Sequence, residues 1–201
     1  MNDIFAKKAE ESIRESITVK QLLLDDCLDS ILSGGIKLAE SVKTGGKIMF
    51  CGNGGSAADS QHLAAELVIR LRGHVNRPAI PAIALTVDPS IMTAGGNDIG
   101  FENVFAREVE ALGRKGDVLV GISTSGNSDN VHRAIMQAKN FGIFTIGLLG
   151  SGGGKIQKQC DMSVVIPANV TARIQESHIL IGHIWCELIE EYMFPELFKQ
   201  E

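Results

Sequence analysis

Aromatic side chains are scarce in this 201-residue chain, with one Trp, one Tyr and eight Phe. Proteins that grip single-stranded nucleic acid stack bases on such rings, so that class is set aside. Positive charge is short as well: 19 Lys and Arg stand against 24 Asp and Glu, a net charge of −5. A nucleic-acid backbone is held by an excess of cations, so a direct DNA or RNA binder is not expected. No run of about 18 apolar residues occurs, which predicts no membrane span. The opening "MNDIFAKKAEESIRES" has no apolar signal core, and a cytoplasmic protein is expected. Cys27, Cys51, Cys160 and Cys186 are scattered without a CxxC pair and read as reduced, mostly core thiols. Repeats and low-complexity linkers are missing too, and 201 residues suit one domain with a proper core.

What is present is alternation. Over residues 3–32, Ile13, Ile17, Leu24, Leu28 and Ile31 recur near helical spacing, which predicts an amphipathic helix. A second, short helix is expected to end at "KTGGK". Short apolar runs then follow: "KIMFCG" (47–52), "AIALT" (82–86), "DVLVGIS" (117–123), "FTIGLLG" (144–150) and "SVVIP" (163–167). Helix-like segments separate them, which predicts parallel strands with crossover helices on both faces, a three-layer α/β fold. "TARIQESHILIGHIWCELIEEYMF" (171–194) predicts a long final helix. It is apolar all round, as expected of a helix buried in part by another subunit.

Ligands of open α/β sheets bind beyond the carboxyl ends of the strands. "CGNGGS" stands there after the first run and "GISTSGNS" after the third. Gly52, Gly54 and Ala57 match a dinucleotide fingerprint in form, but the acidic partner about 20 residues on is missing. Lys155 in "SGGGKIQ" lacks the distal Gly and the hydroxyl of a P-loop, so nucleotide binding is disfavoured. Ser123, Thr124, Ser125 and Ser128 bring four hydroxyls to one turn, with Gly126 relaxing the backbone ahead of a helix start. Hydroxyls, free N–H groups and the helix dipole cradle a phosphate without lysine. A plain Ser cap is the simpler reading of any one of them.

His62 and Glu66 are i, i+4 neighbours on the helix leaving the first turn. Ala57, Ala64, Leu67, Val68 and Leu71 form the stripe expected to face the core, so the pair points away from it. Such a pair alone is more often a surface contact than a metal site; its place beside the first turn raises its interest.

"CGNGGSAADSQH", "GNDIGFENVFAREVEALGRKGDVLVGISTSGNS" and "RIQESHILIGH" resemble the sugar isomerase (SIS) domain family, and within it the phosphoheptose isomerases. The resemblance spans nearly the whole chain. It implies a five-stranded parallel sheet with an N-terminal helical extension, and a homotetramer with active sites between subunits. It also implies a zinc-dependent aldose–ketose isomerisation of a phosphorylated seven-carbon sugar, serving the heptose of lipopolysaccharide. By the same resemblance Asn53, Gly54, Gly55 and Ser56 touch the sugar, and Asn97 and Asp98 bind hydroxyls. Ser123, Thr124, Ser125 and Ser128 hold the phosphate. His62, Glu66, Gln175 and His183 surround the zinc, with Glu66 and His183 as the catalytic pair. Some relatives carry an acidic residue just before the Arg of "RIQE"; here it is Ala172, so that carboxylate is absent.

The chemistry stands on the residues as well. Moving a proton between C1 and C2 of a sugar through an enediol(ate) needs a base, an acid and stabilisation of the developing oxyanion. A carboxylate, an imidazole and a Lewis-acid metal supply the three. Gln175 and His183 are eight residues apart, about 12 Å along a helix. One metal reaches both only through an irregular helix start, a long reach by Gln175, or ligands from two chains; two chains meeting beside Gly182 is the favoured expectation. His178 reads as a hydrogen-bonded core residue, His74 and His132 as loop and surface residues, and Arg70, Arg72 and Arg77 as a solvated basic edge. The competing function is a non-catalytic SIS tetramer that binds DnaA as an assembly factor in replication initiation. Retention of Glu66 and His183 argues for the enzyme.

Overall fold

The computed structural model describes residues 2–198, apart from the side chain of Asn2. It opens on helix α1 (Asn2–Leu22), which runs through a π turn (Leu23–Cys27) into α2 (Leu28–Lys43). The expected break near residue 32 does not occur. Val19, Leu23, Cys27 and Ile31 are all buried and recur every four residues. A pure α-helix would rotate that stripe by about 40° per step; the wider π turn holds it on the core. The predicted stripe is largely outward: Ile13, Ile17, Leu24 and Leu28 are 61%, 63%, 59% and 45% exposed, and of that set only Ile31 is buried. This helical run has two apolar sides, and the chain's own core takes the other one.

Beyond it come β1 (Ile48–Cys51), α3 (Gly55–Val68), β2 (Ala82–Ala84), α4 (Pro89–Asp98), α5 (Val104–Leu112), β3 (Val118–Ser123) and α6 (Asp129–Asn140). The chain continues through β4 (Phe144–Leu149), α7 (Gly154–Gln157), β5 (Met162–Val165) and α8 (Thr171–Met193). The strands form one parallel sheet in the order β2-β1-β3-β4-β5. All five expected strands and the long final helix are present, within a few residues of the expected bounds. One core lies between the sheet and α2, α3 and α8, with Ile48, Phe50, Leu63, Leu67 and Trp185 at its centre; Met49, Leu119, Phe105, Val109 and Ile135 centre the other, under α5 and α6.

Two glycines in mid-helix show how tightly the first layer packs. A Cβ on Gly34 would stand 3.0 Å from the Trp185 ring, and one on Gly35 would stand 2.6 Å from Leu188 Cδ1. Trp185, 1% exposed, also donates its indole N–H to the Ile31 carbonyl at 2.8 Å. Each helical glycine costs about 1 kcal/mol relative to alanine. Burial of the indole against the α2 backbone offsets that cost. α8 is thereby held along α2 on one side and along α3 on the other.

The strand order reverses direction between β1 and β3, which leaves a crevice beyond their carboxyl ends. Cys51 pairs in register with Gly121, so the turns that follow the two strands emerge side by side.

Candidate active site

The first turn is shaped by its glycines. Gly54 sits at φ +56°, ψ −118°, a backbone conformation that a side chain strains, and caps α3. Ser56 N donates to the Asn53 carbonyl and Ala57 N to the Gly54 carbonyl, both at 3.0 Å, closing the turn. Ser56 is buried while Gly54 and Gly55 are open to solvent. Gly55 admits the amide of Gln175, which lies where a Cβ would be.

The second turn lacks the plain Ser cap. Ser128 occupies the N-cap of α6, yet its side chain makes no capping bond. Its hydroxyl lies instead 2.9 Å from that of Ser123, a residue 3% exposed at the end of β3. Ser125 Oγ accepts from Asn127 N at 3.1 Å, and Gly126, at φ +63°, presses on the Gly153–Gly154 backbone. In the first turn of α6, Val131 N is satisfied by the side chain of Asn130 at 2.9 Å. Helix starts whose N-cap side chain makes no capping bond leave N–H groups that can take an anion. Lys155 ion-pairs with Asp129 at the rim, bringing a cation that the sequence reading set aside with the P-loop.

A residue that the sequence reading missed ties the two turns together. Asn53 and Asn130 exchange amide hydrogen bonds, Asn53 Nδ2 to Asn130 Oδ1 at 2.9 Å and Asn130 Nδ2 to Asn53 Oδ1 at 2.8 Å. Asn130 is 3% exposed, so the Asn53 amide reaches the crevice from a fixed position. The signal was available, since a second Asn one residue into the next helix is the right partner for a reciprocal amide pair.

His62 and Glu66 do point away from the sheet, toward α8. His62 Nε2 lies 2.8 Å from His183 Nε2 and 3.4 Å from Glu66 Oε1. The rings meet edge to face with centroids 5.0 Å apart. His62 is 47% exposed at its side chain and Glu66 19%, so the group is reachable but not fully solvated. One chain therefore brings all three together, and Gln175 stands at Gly55, at the N-terminal ends of both helices. Among the described residues no group of three or more His, Cys, Asp or Glu side chains is arranged as a metal site. Asp59, one turn before His62, is pushed up to about 6 by burial, against the pull of His62.

Other expectations are revised. The buried stripe of α3 is Ser56, Ser60, Leu63, Ala64 and Leu67; Val68 is 39% exposed, and the helix ends there, before Arg70 and Leu71. Asn97 and Asp98 end α4, a helix with no buried residue; both are exposed and their side chains bond each other at 2.7 Å. Arg77 is buried rather than solvated, against Glu190. His178 is fully buried, but neither ring nitrogen has a hydrogen-bond partner of good geometry; burial lowers it to about 4, with the Leu149 backbone only partly offsetting.

The chain is also similar to known proteins. Residues 13–150 match the model of the SIS domain. The phosphoheptose isomerase of Clostridium acetobutylicum is 49% identical over 189 residues, spanning 93% of this chain and 95% of the relative. That of Nitratiruptor is 59% identical over 161 residues, 80% of this chain and 85% of the relative. The structure of phosphoheptose isomerase from Neisseria gonorrhoeae superposes with a TM-score of 0.87 at 43% identity, covering 93% of this chain and 99% of that one. The chain belongs to the SIS-domain family, on its phosphoheptose isomerase branch.

Proposed function

We propose that the chain is an aldose–ketose isomerase that converts sedoheptulose 7-phosphate to D-glycero-D-manno-heptose 7-phosphate. One observation carries the reading: on the helix that leaves the glycine turn, His62 lies 2.8 Å from His183 of α8 and 3.4 Å from Glu66 of its own helix. The phosphate falls to the Ser123, Thr124, Ser125 and Ser128 turn, where the uncapped start of α6 adds its dipole. Asn53, Gly54, Gly55 and Ser56 face the sugar hydroxyls, with the Asn53 amide held by Asn130.

Glu66 takes the proton from C1 of the ketose, and the electron pair moves into a C1–C2 double bond as O2 gains a proton from His183. The enediol collapses when the O1 proton passes back to His183 and C2 receives a proton from Glu66, giving the aldose. No atoms are gained or lost, and each residue ends in the state in which it began.

The donors fit zinc in kind: two converging imidazole nitrogens and a carboxylate are an N/O set. Ligands on a tetrahedral ion lie roughly 3.3 Å apart, so the imidazoles at 2.8 Å need a small opening to share one. His62, His183 and Glu66 would hold it, with Gln175 of a second chain as the candidate fourth ligand. When bound, zinc supplies Lewis-acid stabilisation of negative charge on the sugar oxygens. The exposed Ile13, Ile17, Leu24 and Leu28 supply an apolar face for the expected homotetramer. Cytoplasmic heptose synthesis for lipopolysaccharide, without nucleic-acid or membrane partners, is the setting this reading implies. No helix of the described residues is long and apolar enough to cross a membrane.

The test is turnover of sedoheptulose 7-phosphate followed by proton NMR, before and after removal of metal with a chelator and with zinc restored. Aldose signals that vanish and return with zinc support the reading. A zinc-loaded protein without turnover refutes it and favours the non-catalytic assembly factor.

A further inference from the structure

Arg77 lies in the loop between α3 and β2 and is fully buried at its side chain, as is its partner Glu190 on α8. Arg77 Nε donates to Glu190 Oε1 at 2.8 Å. Its two terminal nitrogens donate to the main chain at the end of α3: to the Leu67 carbonyl at 2.8 Å and to the Glu66 carbonyl at 2.8 Å. A further bond reaches the Pro78 carbonyl at 3.0 Å. Glu190 is filled in turn by Arg72 Nε on Oε2 at 3.1 Å and by Leu71 N on Oε1 at 3.4 Å.

A buried ion pair is weak evidence for stability, because the loss of hydration offsets most of the attraction and apolar residues of like volume hold helices as well. What an apolar pair lacks is direction. The guanidinium fork fixes one carboxylate and two carbonyls of α3 at once, so it sets how far α3 stands along α8. The carbonyls it takes are among the last of α3, which have no partner within the helix. One of them belongs to Glu66 itself. Glu190 is seven residues past His183, two turns along the same helix. A slip by one residue would displace the helices by about 1.5 Å, enough to separate His62 from His183 and to turn Glu66 out of line.

We propose that Arg77 is a positioning residue for the isomerisation: through Glu190 and the Glu66 carbonyl it locks the catalytic carboxylate on α3 in register with His183 on α8. This rests on the roles proposed above for Glu66 and His183.

The test compares the wild type with Arg77→Lys and with the double variant Arg77→Met/Glu190→Leu, which removes both charges together, so that neither is left buried without the other. Melting temperature, kcat and KM for sedoheptulose 7-phosphate are measured on zinc-loaded protein, and His62 and His183 imidazole resonances on metal-free protein. The double variant is expected to melt near the wild type and keep KM within about two-fold, while kcat falls at least about ten-fold and both imidazoles shift. A folded double variant with wild-type kcat overturns the proposal and leaves the pair a structural one. Should the double variant not fold, Arg77→Lys decides: it retains charge toward Glu190 but not the fork, so kcat must fall about five-fold or more, and wild-type kcat overturns the proposal. Glu66→Gln separates the two readings. If it retains wild-type turnover the catalytic assignment fails, and the register claim is then judged by the imidazole spectra alone: shifted resonances support it and unchanged ones overturn it.

Discussion

Gly182 of α8 lies so close to Leu63 of α3 that a Cβ there would stand 2.5 Å from Leu63 Cδ2. Leu63 is 1% exposed and has no room to retreat. The residues beside this contact are His183 and His62, so the close approach of the two helices brings the imidazoles together. Gly182→Ala should therefore be destabilising: overpacking of about 1–3 kcal/mol outweighs the gain in helix propensity of about 1 kcal/mol. Turnover should drop more than about ten-fold as the helices part. Leu63→Ala in the same chain should recover part of the lost turnover. Thermal melting and kcat of the two variants check this.

Ser128 distinguishes a phosphate cradle from a cap. An ordinary Ser cap costs about 1 kcal/mol on removal. Ser128 makes no capping bond and loses only its hydroxyl contact with Ser123, so Ser128→Ala should lower stability by no more than about 1 kcal/mol while raising KM for the phosphorylated sugar about ten-fold. A several-degree fall in melting temperature with KM unchanged would return the residue to the cap reading.

Glu108 on α5 is 8% exposed, and its Oε2 has no hydrogen-bond partner. Burial, reinforced by the charge of Asp88, raises its carboxyl from 4.5 to about 7. The folded chain thus holds a proton that the unfolded chain releases between these values, so this contribution is full below 4.5 and lost as pH rises through about 7. Glu108→Gln should raise stability at pH 8 by about 2 kcal/mol and change it little at pH 4. Melting curves at the two pH values measure the difference.

His178 works in the opposite sense. Burial lowers it from 6.5 to about 4, so the unfolded chain takes up a proton over that window while the folded chain does not. Stability from the neutral ring is intact above 6.5 and is lost as pH falls toward 4. His178→Leu should flatten the acid side of the melting-temperature profile; an unchanged slope between these pH values would contradict the assignment.

The parts legible in the sequence were those with local signatures. Strand runs such as Val118–Ser123 and turn residues such as Gly54 announce themselves by composition. The i, i+4 pair His62 and Glu66 was visible for the same reason. Arg77 was misread because a charge in a loop looks solvated until its partner is known, and Glu190 lies 113 residues on. The Asn53–Asn130 pair, 77 residues apart, needed β1 and β3 to be neighbours first. Ile13 and Ile17 marked an amphipathic helix in the sequence, but amphipathicity reveals an apolar side without saying which molecule covers it.

The most direct measurement is solvent deuterium incorporation by the zinc-loaded protein and by Glu66→Gln, with sedoheptulose 7-phosphate in deuterated water and the sugar followed by NMR. The account predicts aldose with the wild type, carrying deuterium at C2 in proportion to exchange of the Glu66 proton with solvent, and neither aldose nor exchange at C1 with the variant. Wild-type turnover, or wild-type exchange at C1, in Glu66→Gln would contradict the proton-transfer role of Glu66 beside His62 and His183.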